Sequence, residues 1–202
     1  MYSRPIKILV KRYKLLITAG IVGSVLVLIL SMLISPLEYR ADAQVLIISQ
    51  SRLGVDPYTV VKSAERVGEN LIQIMKTEDF LNKVAEQNHA VYKEFGFQDL
   101  ETRDKRKLWN NSTSASVVYG TGVLNVSAFH KTPETAEKLA KAVVDTLVVR
   151  GWEYVGGDVV IKVINNPVAT KYPVRPNLPL NVFAGFVFGI VFMGLILVRK
   201  FR

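Results

Sequence analysis

Apolar positions recur along this chain with three different rhythms. Leu15–Leu37 contains no charged residue. Its most apolar part, Leu15–Ile34, is 20 residues, and a helix of that length spans about 30 Å, the thickness of a bilayer core. Leu178–Val198 is a second such run, of 21 residues, inside the uncharged stretch Asn177–Val198. Only helices or closed barrels satisfy the backbone in hydrocarbon, and two isolated runs cannot close a barrel. Both runs therefore predict transmembrane helices, at 15–35 and 178–198.

Between them the rhythm changes. Tyr39, Ala41, Ala43, Val45 and Ile47 alternate with Arg40, Asp42 and Gln44, which predicts a strand over 39–49. Asp56-Pro57 reads as an N-cap followed by Pro at the first helical position. Val60, Val61, Ala64, Val67, Leu71, Ile74 and Met75 then recur at helical spacing, giving a helix over 57–75. Thr77 caps a second helix carrying Phe80, Leu81, Val84 and Ala85. Residues 89–112 are polar and weakly periodic, with a short helix around Glu101–Asn110. Ser114–Tyr119 and Val123–Phe129 flank Gly120-Thr121-Gly122, the pattern of a hairpin. Thr132-Pro133 opens a helix whose stripe is Ala136, Leu139, Ala140, Val143, Leu147 and Val148. Asp158–Ile164 is the last strand, with Val159, Ile161 and Val163 on one face.

The order β-α-β-β-α-β is the split pattern of a ferredoxin-like sandwich. The expected fold is α+β, an external domain between two membrane helices. That topology sets the first and last strands side by side and antiparallel, so the chain enters and leaves the domain at neighbouring points.

Charge separates the chain in the same places. Of 202 residues, 26 are Lys or Arg and 17 Asp or Glu, a net +9. Arg4, Lys7, Lys11, Arg12 and Lys14 precede the first apolar run, and Arg199, Lys200 and Arg202 follow the second, so eight of the nine net charges sit at the ends. A nucleic-acid binder concentrates basic residues on a folded surface; this chain places them beside hydrophobic runs. By the positive-inside rule both ends are cytoplasmic and 36–177 lies outside. Ala41-Asp42-Ala43 has the form of a signal cleavage site. The run before it exceeds a signal core of about 7–15 residues, and the Ala pair lies beyond its end, past Glu38 and Arg40, so the first helix is read as uncleaved. The organisation is then a cytoplasmic segment 1–14, helix 15–35, domain 36–177 with a Pro-rich connector over 167–179, helix 178–198 and tail 199–202. The 142 residues of 36–177 suffice for a core without staples.

Chemistry-bearing residues are sparse. There is no Cys, which excludes a disulfide scaffold, a thiolate metal site and a Cys nucleophile. His89 and His130 are the only histidines, too few for a multi-His metal centre. No nucleophile–base–acid set stands out, no acid pair is placed for glycosyl chemistry, and no cofactor motif is present. Asn110-Asn111-Ser112, Asn111-Ser112-Thr113 and Asn125-Val126-Ser127 match the glycosylation sequon, a short pattern that assigns no function by itself.

Four features have two readings each. Pro173, Pro176 and Pro179, with Asn177, form either a stiff connector that packs between subunits or a solvated linker; the stiff form is preferred, because Gly/Ser would be the flexible choice. Gly185-x-x-x-Gly189, with Gly20, Ser24 and Ser31 on the first helix, serves either helix–helix packing or ordinary glycine usage in membrane helices. Arg103, Lys105, Arg106 and Lys107 dock an anionic glycan or another partner, or, given Glu101 and Asp104 among them, form a solvated face. Trp109, Trp152, Tyr154 and Tyr172 stack on sugars, or pack and anchor.

The residues resemble the polysaccharide co-polymerases, the Wzz-type chain-length determinants, over nearly the whole chain. The resemblance rests on Tyr39-x-Ala41-x-Ala43-x-Val45, on Gly122-Val123-Leu124-Asn125-Val126-Ser127-Ala128, and on Thr132-Pro133-Glu134-Thr135-Ala136 opening a helix. Its most specific part is Ala169-x-x-x-Pro173-x-x-Pro176-Asn177-x-Pro179-x-Asn181 running into the second membrane helix. It implies a non-catalytic scaffold of the bacterial cytoplasmic membrane. Such a protein is a homo-oligomeric ring that acts with a polysaccharide polymerase or export machinery to set glycan length. Short relatives also serve as adaptors that activate a cytoplasmic tyrosine autokinase. Two departures stand out. Only about forty residues separate Gln73 from Thr113, so the domain is expected to be squat, and there is no G-x-x-x-x-G-K-[ST] phosphate loop. The rival classes are that kinase adaptor, a glycan-modifying membrane enzyme, and a receptor-like anchor.

Overall fold

The computed structural model describes residues 9–49, 56–156 and 159–200. Arg4, Lys7, Asp158 and Arg202, used in the sequence reading, lie outside the described residues. The chain forms two compact units, one of residues 38–172 and one combining the two terminal segments up to Leu37 and from Pro173.

In the terminal unit, α1 (Tyr13–Ile34) and α8 (Leu178–Lys200) are each long and apolar enough to span a membrane. Asn177 caps α8: its Oδ1 accepts from Leu180 N at 3.3 Å, which places Pro179 in the first helical turn.

The other unit is α+β, with a four-stranded antiparallel sheet in the order β2-β3-β1-β4. Its strands are β1 (Tyr39–Ser49), β2 (Thr113–Val117), β3 (Val123–His130) and β4 (Val159–Ala169). The helices are α2 (Pro57–Met75), α3 (Glu78–Gln87), α4 (His89–Glu94), α5 (Thr102–Ser112), α6 (Pro133–Arg150) and the single turn α7 (Trp152–Val155). Local signals explain several boundaries. Asp56 accepts from Thr59 N at the start of α2, and Thr77 accepts from Phe80 N at the start of α3. In the β2–β3 hairpin, Gly120 takes φ +69°, a conformation only glycine adopts at no steric cost.

One face of the sheet carries the core. Ala41, Ala43, Val45 and Ile47 of β1 and Leu124, Val126 and Ala128 of β3 are buried, with Leu139, Ala140, Val143 and Leu147 of α6 and Ala64, Leu71 and Met75 of α2. Residues 89–112 close one end of this core through an aromatic cluster. Trp109 is 1% exposed and lies 6.3 Å from Phe80 and 6.1 Å from Phe97, ring centre to ring centre. The two chain ends of the unit meet at Arg40 and Thr170, where Thr170 N donates to Arg40 O at 2.8 Å.

Several expectations are corrected. β4 runs on to Ala169, so Pro167 belongs to a strand and the irregular run before α8 narrows to 170–177. Pro167 is tolerated because β4 is an edge strand with irregular pairing, where a missing N–H breaks no ladder. Val163 is 38% exposed rather than core, beside the first of two register shifts against β1 that break the period-two alternation. Val148 is likewise exposed, past the buried stripe of α6. The helix expected at 101–110 spans Thr102–Ser112, and α4 was not legible at all.

Candidate functional site

Helices cover one face of the sheet; on the other face polar side chains line an open groove of about 720 Å³. Alternation along β1 sends Arg40, Asp42 and Gln44 to this side, opposite the buried alanines. Antiparallel register then brings Ser127 opposite Asp42 and Asn125 opposite Gln44. Across the other edge, Asn165 pairs with Gln44. Asn165, Asn166 and Val168 all line the groove. Strict alternation would send adjacent Asn165 and Asn166 to opposite faces; the register shifts of β4 release them from it.

The groove side chains hold one another. Asn165 Nδ2 donates to Gln44 Oε1 at 2.5 Å, and Gln44 Nε2 donates to Asn125 Oδ1 at 2.7 Å. This amide relay crosses three strands. Beside it, Asp42 accepts from Ser127 Oγ at 2.6 Å and from Arg40 Nε at 2.8 Å. Among the described residues the two charges lining the groove, on Arg40 and Asp42, form a pair, and this lining is neutral.

The second feature is the seam between α1 and α8. Gly20, Ser24, Gly185 and Gly189 all lie on it. A Cβ added at Gly20 would fall 2.7 Å from the Phe186 ring, and one at Gly185 would fall 2.7 Å from Gly23 O and 2.9 Å from Val27. Gly23, which sequence reasoning passed over, belongs to the same seam, where its added Cβ would lie 2.5 Å from Gly185 O. Its i, i+3 spacing from Gly20 was the available signal. Among the described residues two polar contacts cross the seam: Ser24 Oγ, which lies 3.1 Å from Gly20 O of its own helix, lies equally 3.1 Å from Val182 O, and Asn181 Nδ2 donates to Ser31 Oγ at 2.8 Å. These glycines are thus used within one chain.

The remaining candidates do not converge. Arg106 pairs with Glu78 at 3.1 Å, Lys105 lies 5.8 Å from the Tyr92 ring centre, and Arg103 and Lys107 stand exposed on the same helix, α5. Pro173 and Pro176 stand in the irregular run 170–177. Trp109 is core. Exposed Trp152 donates to Val149 O, and Tyr172 is exposed. Burial pushes His130 below its ordinary pKa, with Thr132 and Phe95 against the ring. Among the described residues no group of three or more His, Asp or Glu is placed to hold a metal.

One charged cluster ties α3 to α7. Lys83 Nζ donates to Glu153 at 2.6 Å and sits 4.1 Å from the Tyr154 ring centre, while Tyr154 Oη donates to Asp79. The Tyr154 hydrogen bond lowers the Asp79 pKa, and the Lys83 hydrogen bond lowers that of Glu153. Depressed carboxylates contribute stability above their ordinary pKa, and that stability is lost as pH falls through the folded value. Thermal stability of the chain in detergent is therefore expected to drop as pH falls below about 4. Glu153→Gln should flatten that drop; an unchanged slope in a pH series of melting curves would remove this cluster from the acid response.

No protein-family model matches the chain, and no curated protein matches it.

Proposed function

We propose that the chain is a two-pass protein of the bacterial cytoplasmic membrane, a non-catalytic scaffold that sets the chain length of a surface polysaccharide. The observation that carries the membrane part is an inside-out helix pair. Ser24, Ser31 and Asn181 make their polar contacts across the seam. Ile21, Val25, Leu26, Leu30 and Leu33 of α1 and Phe183, Phe188, Phe192 and Leu195 of α8 point outward, exposed. Exposed apolar area on that scale is costly in water and neutral in lipid. Gly20 is the one buried residue of α1, unlike the core helix of a soluble protein.

Between the spans, the strand order β2-β3-β1-β4 supports a ferredoxin-like reading of the domain, with α3, α4 and α5 inserted before the hairpin. The meeting of Arg40 with Thr170 supports a domain held from both ends by one helix pair. The link to polysaccharide rests on the resemblance to Wzz-type proteins described above, and so does association into a homo-oligomer beside a polymerase.

Topology is directly testable because the chain has no cysteine of its own. Tyr119→Cys, in the exposed hairpin loop, should react with a membrane-impermeant maleimide in intact cells, and Lys11→Cys only after permeabilisation. The reverse pattern would overturn the orientation, and labelling of both sites in intact cells would overturn the two-pass reading. Deleting the gene should broaden or shift the size distribution of the surface polysaccharide on a gel, and an unchanged distribution removes the chain-length role.

A further inference from the structure

The open face of the sheet is ordered for a ligand in a way that a solvated face need not be. Gln44 spends both ends of its amide within the relay, so its rotamer and those of Asn125 and Asn165 are held. Asn125 Nδ2 and Asn165 Oδ1 are the two ends left over, one a donor and one an acceptor, on opposite sides of β1. Asp42, with one oxygen accepting from Ser127 and the other from Arg40, keeps lone pairs facing the groove. Donors and acceptors fixed side by side, at zero net charge, match a ligand whose every group both gives and takes a hydrogen bond. Hydroxyls do this; phosphates and carboxylates do not. An anionic polymer would instead meet Asp42, with its only cation already paired. The groove is open and its lining is drawn from all four strands, from Ser116 of β2 to Asn165 of β4, which suits a segment of chain better than an enclosed small molecule.

We infer that this groove, lined by Asp42, Gln44, Asn125, Ser127 and Asn165, binds a neutral, hydroxyl-rich glycan segment. The inference rests on the scaffold reading and gives it a contact surface. It also separates the groove from the basic face of α5, which would take an anionic glycan.

The test uses the full chain in detergent. The probe is neutral surface polysaccharide purified from the organism that carries the gene, trimmed to short oligomers. Saturation transfer from protein to sugar protons should be seen with the unaltered chain and be unchanged from about 0.05 to about 0.5 M salt, because no ion pair with the ligand is involved. Gln44→Ala with Asn125→Ala should weaken binding by about tenfold or more. Arg103→Ala with Lys107→Ala should leave it intact. Gln44 and Asn125 lie on the sheet face away from the core, and Arg103 and Lys107 are exposed on α5, so an unchanged melting curve verifies the fold of each variant. No transfer with the unaltered chain, binding that falls with salt, or binding lost in the α5 variant instead would each overturn the inference. A second arm works in cells, with the deletion strain complemented by each variant. If deletion alters the polysaccharide and the groove variant restores it fully, the groove inference fails while the scaffold reading stands. If deletion alters nothing, both fall.

Discussion

Gly185→Leu combined with Gly189→Leu is expected to separate α1 from α8 while leaving the sheet domain folded. A Cβ at Gly185 falls 2.7 Å from Gly23 O and 2.9 Å from Val27, and one at Gly189 falls against the Ala19 carbonyl and 3.0 Å from Gly20 Cα. Most of these obstacles are backbone, which cannot rotate aside. Overpacking of this kind costs about 1–3 kcal/mol per site. The two polar contacts across the seam offset little of it, since interhelical hydrogen bonds in membranes average about 0.6 kcal/mol. The readout is a disulfide formed on mild oxidation between Ser31→Cys and Asn181→Cys, side chains that touch in the native pair. Bridging should be efficient in the glycine background and absent with the two leucines. Gly194→Leu is the control on the same helix: its added Cβ meets nothing nearer than 3.7 Å, so bridging should persist. Equal bridging in all three would mean that glycine contact does not hold the pair.

This seam has a consequence for assembly. Gly20, Gly185 and Gly189 are buried against the other helix of their own chain, so they have no surface to offer a second copy. Association of copies within the membrane would have to use the outward apolar faces or contacts outside it.

Legibility in the sequence followed the range of the interaction. Elements announced by neighbouring residues were readable: Asp56 and Thr77 accept from amides three residues on, as their spacing implied, and the alternation of β1 correctly divided alanines from polar residues. Features set by distant partners were not. Gln44 meets Asn125 across 81 positions and Asn165 across 121. Each residue alone is an ordinary polar position on a strand, and only register makes them a relay. The extra length of β4 was hidden for the same reason, because a bulge is a property of a pairing. Residues 89–112 defeated periodicity differently. In α5 only Trp109 and Ser112 are fully buried, so the helix has too narrow an apolar stripe to register as a rhythm.

That narrow stripe makes Trp109 the residue on which the segment depends, and Trp109→Ala is expected to be the most destabilising single change in the sheet domain. The side chain is buried against Phe80 and Phe97, and its indole N–H donates to Met75 O at 2.6 Å, joining α5 to the end of α2. Removing it costs about 3–5 kcal/mol for the lost volume, with a further ~1–3 kcal/mol for the stranded Met75 carbonyl where water cannot reach it. Against a total domain stability of about 5–15 kcal/mol, that is enough to unfold a marginal domain. Trp109→Phe separates the two contributions, since it keeps most of the ring and loses only the donor, so it should fall between the native chain and Trp109→Ala. Urea unfolding of the full chain in detergent, followed by limited proteolysis at 89–112, supplies the measurement. Exposed Trp152→Ala should change stability by less than about 0.5 kcal/mol. If Trp109→Ala left the midpoint unchanged, a surface role such as sugar stacking would have to replace packing as the reason for this tryptophan. The aromatic cluster would then no longer account for why so polar a stretch folds.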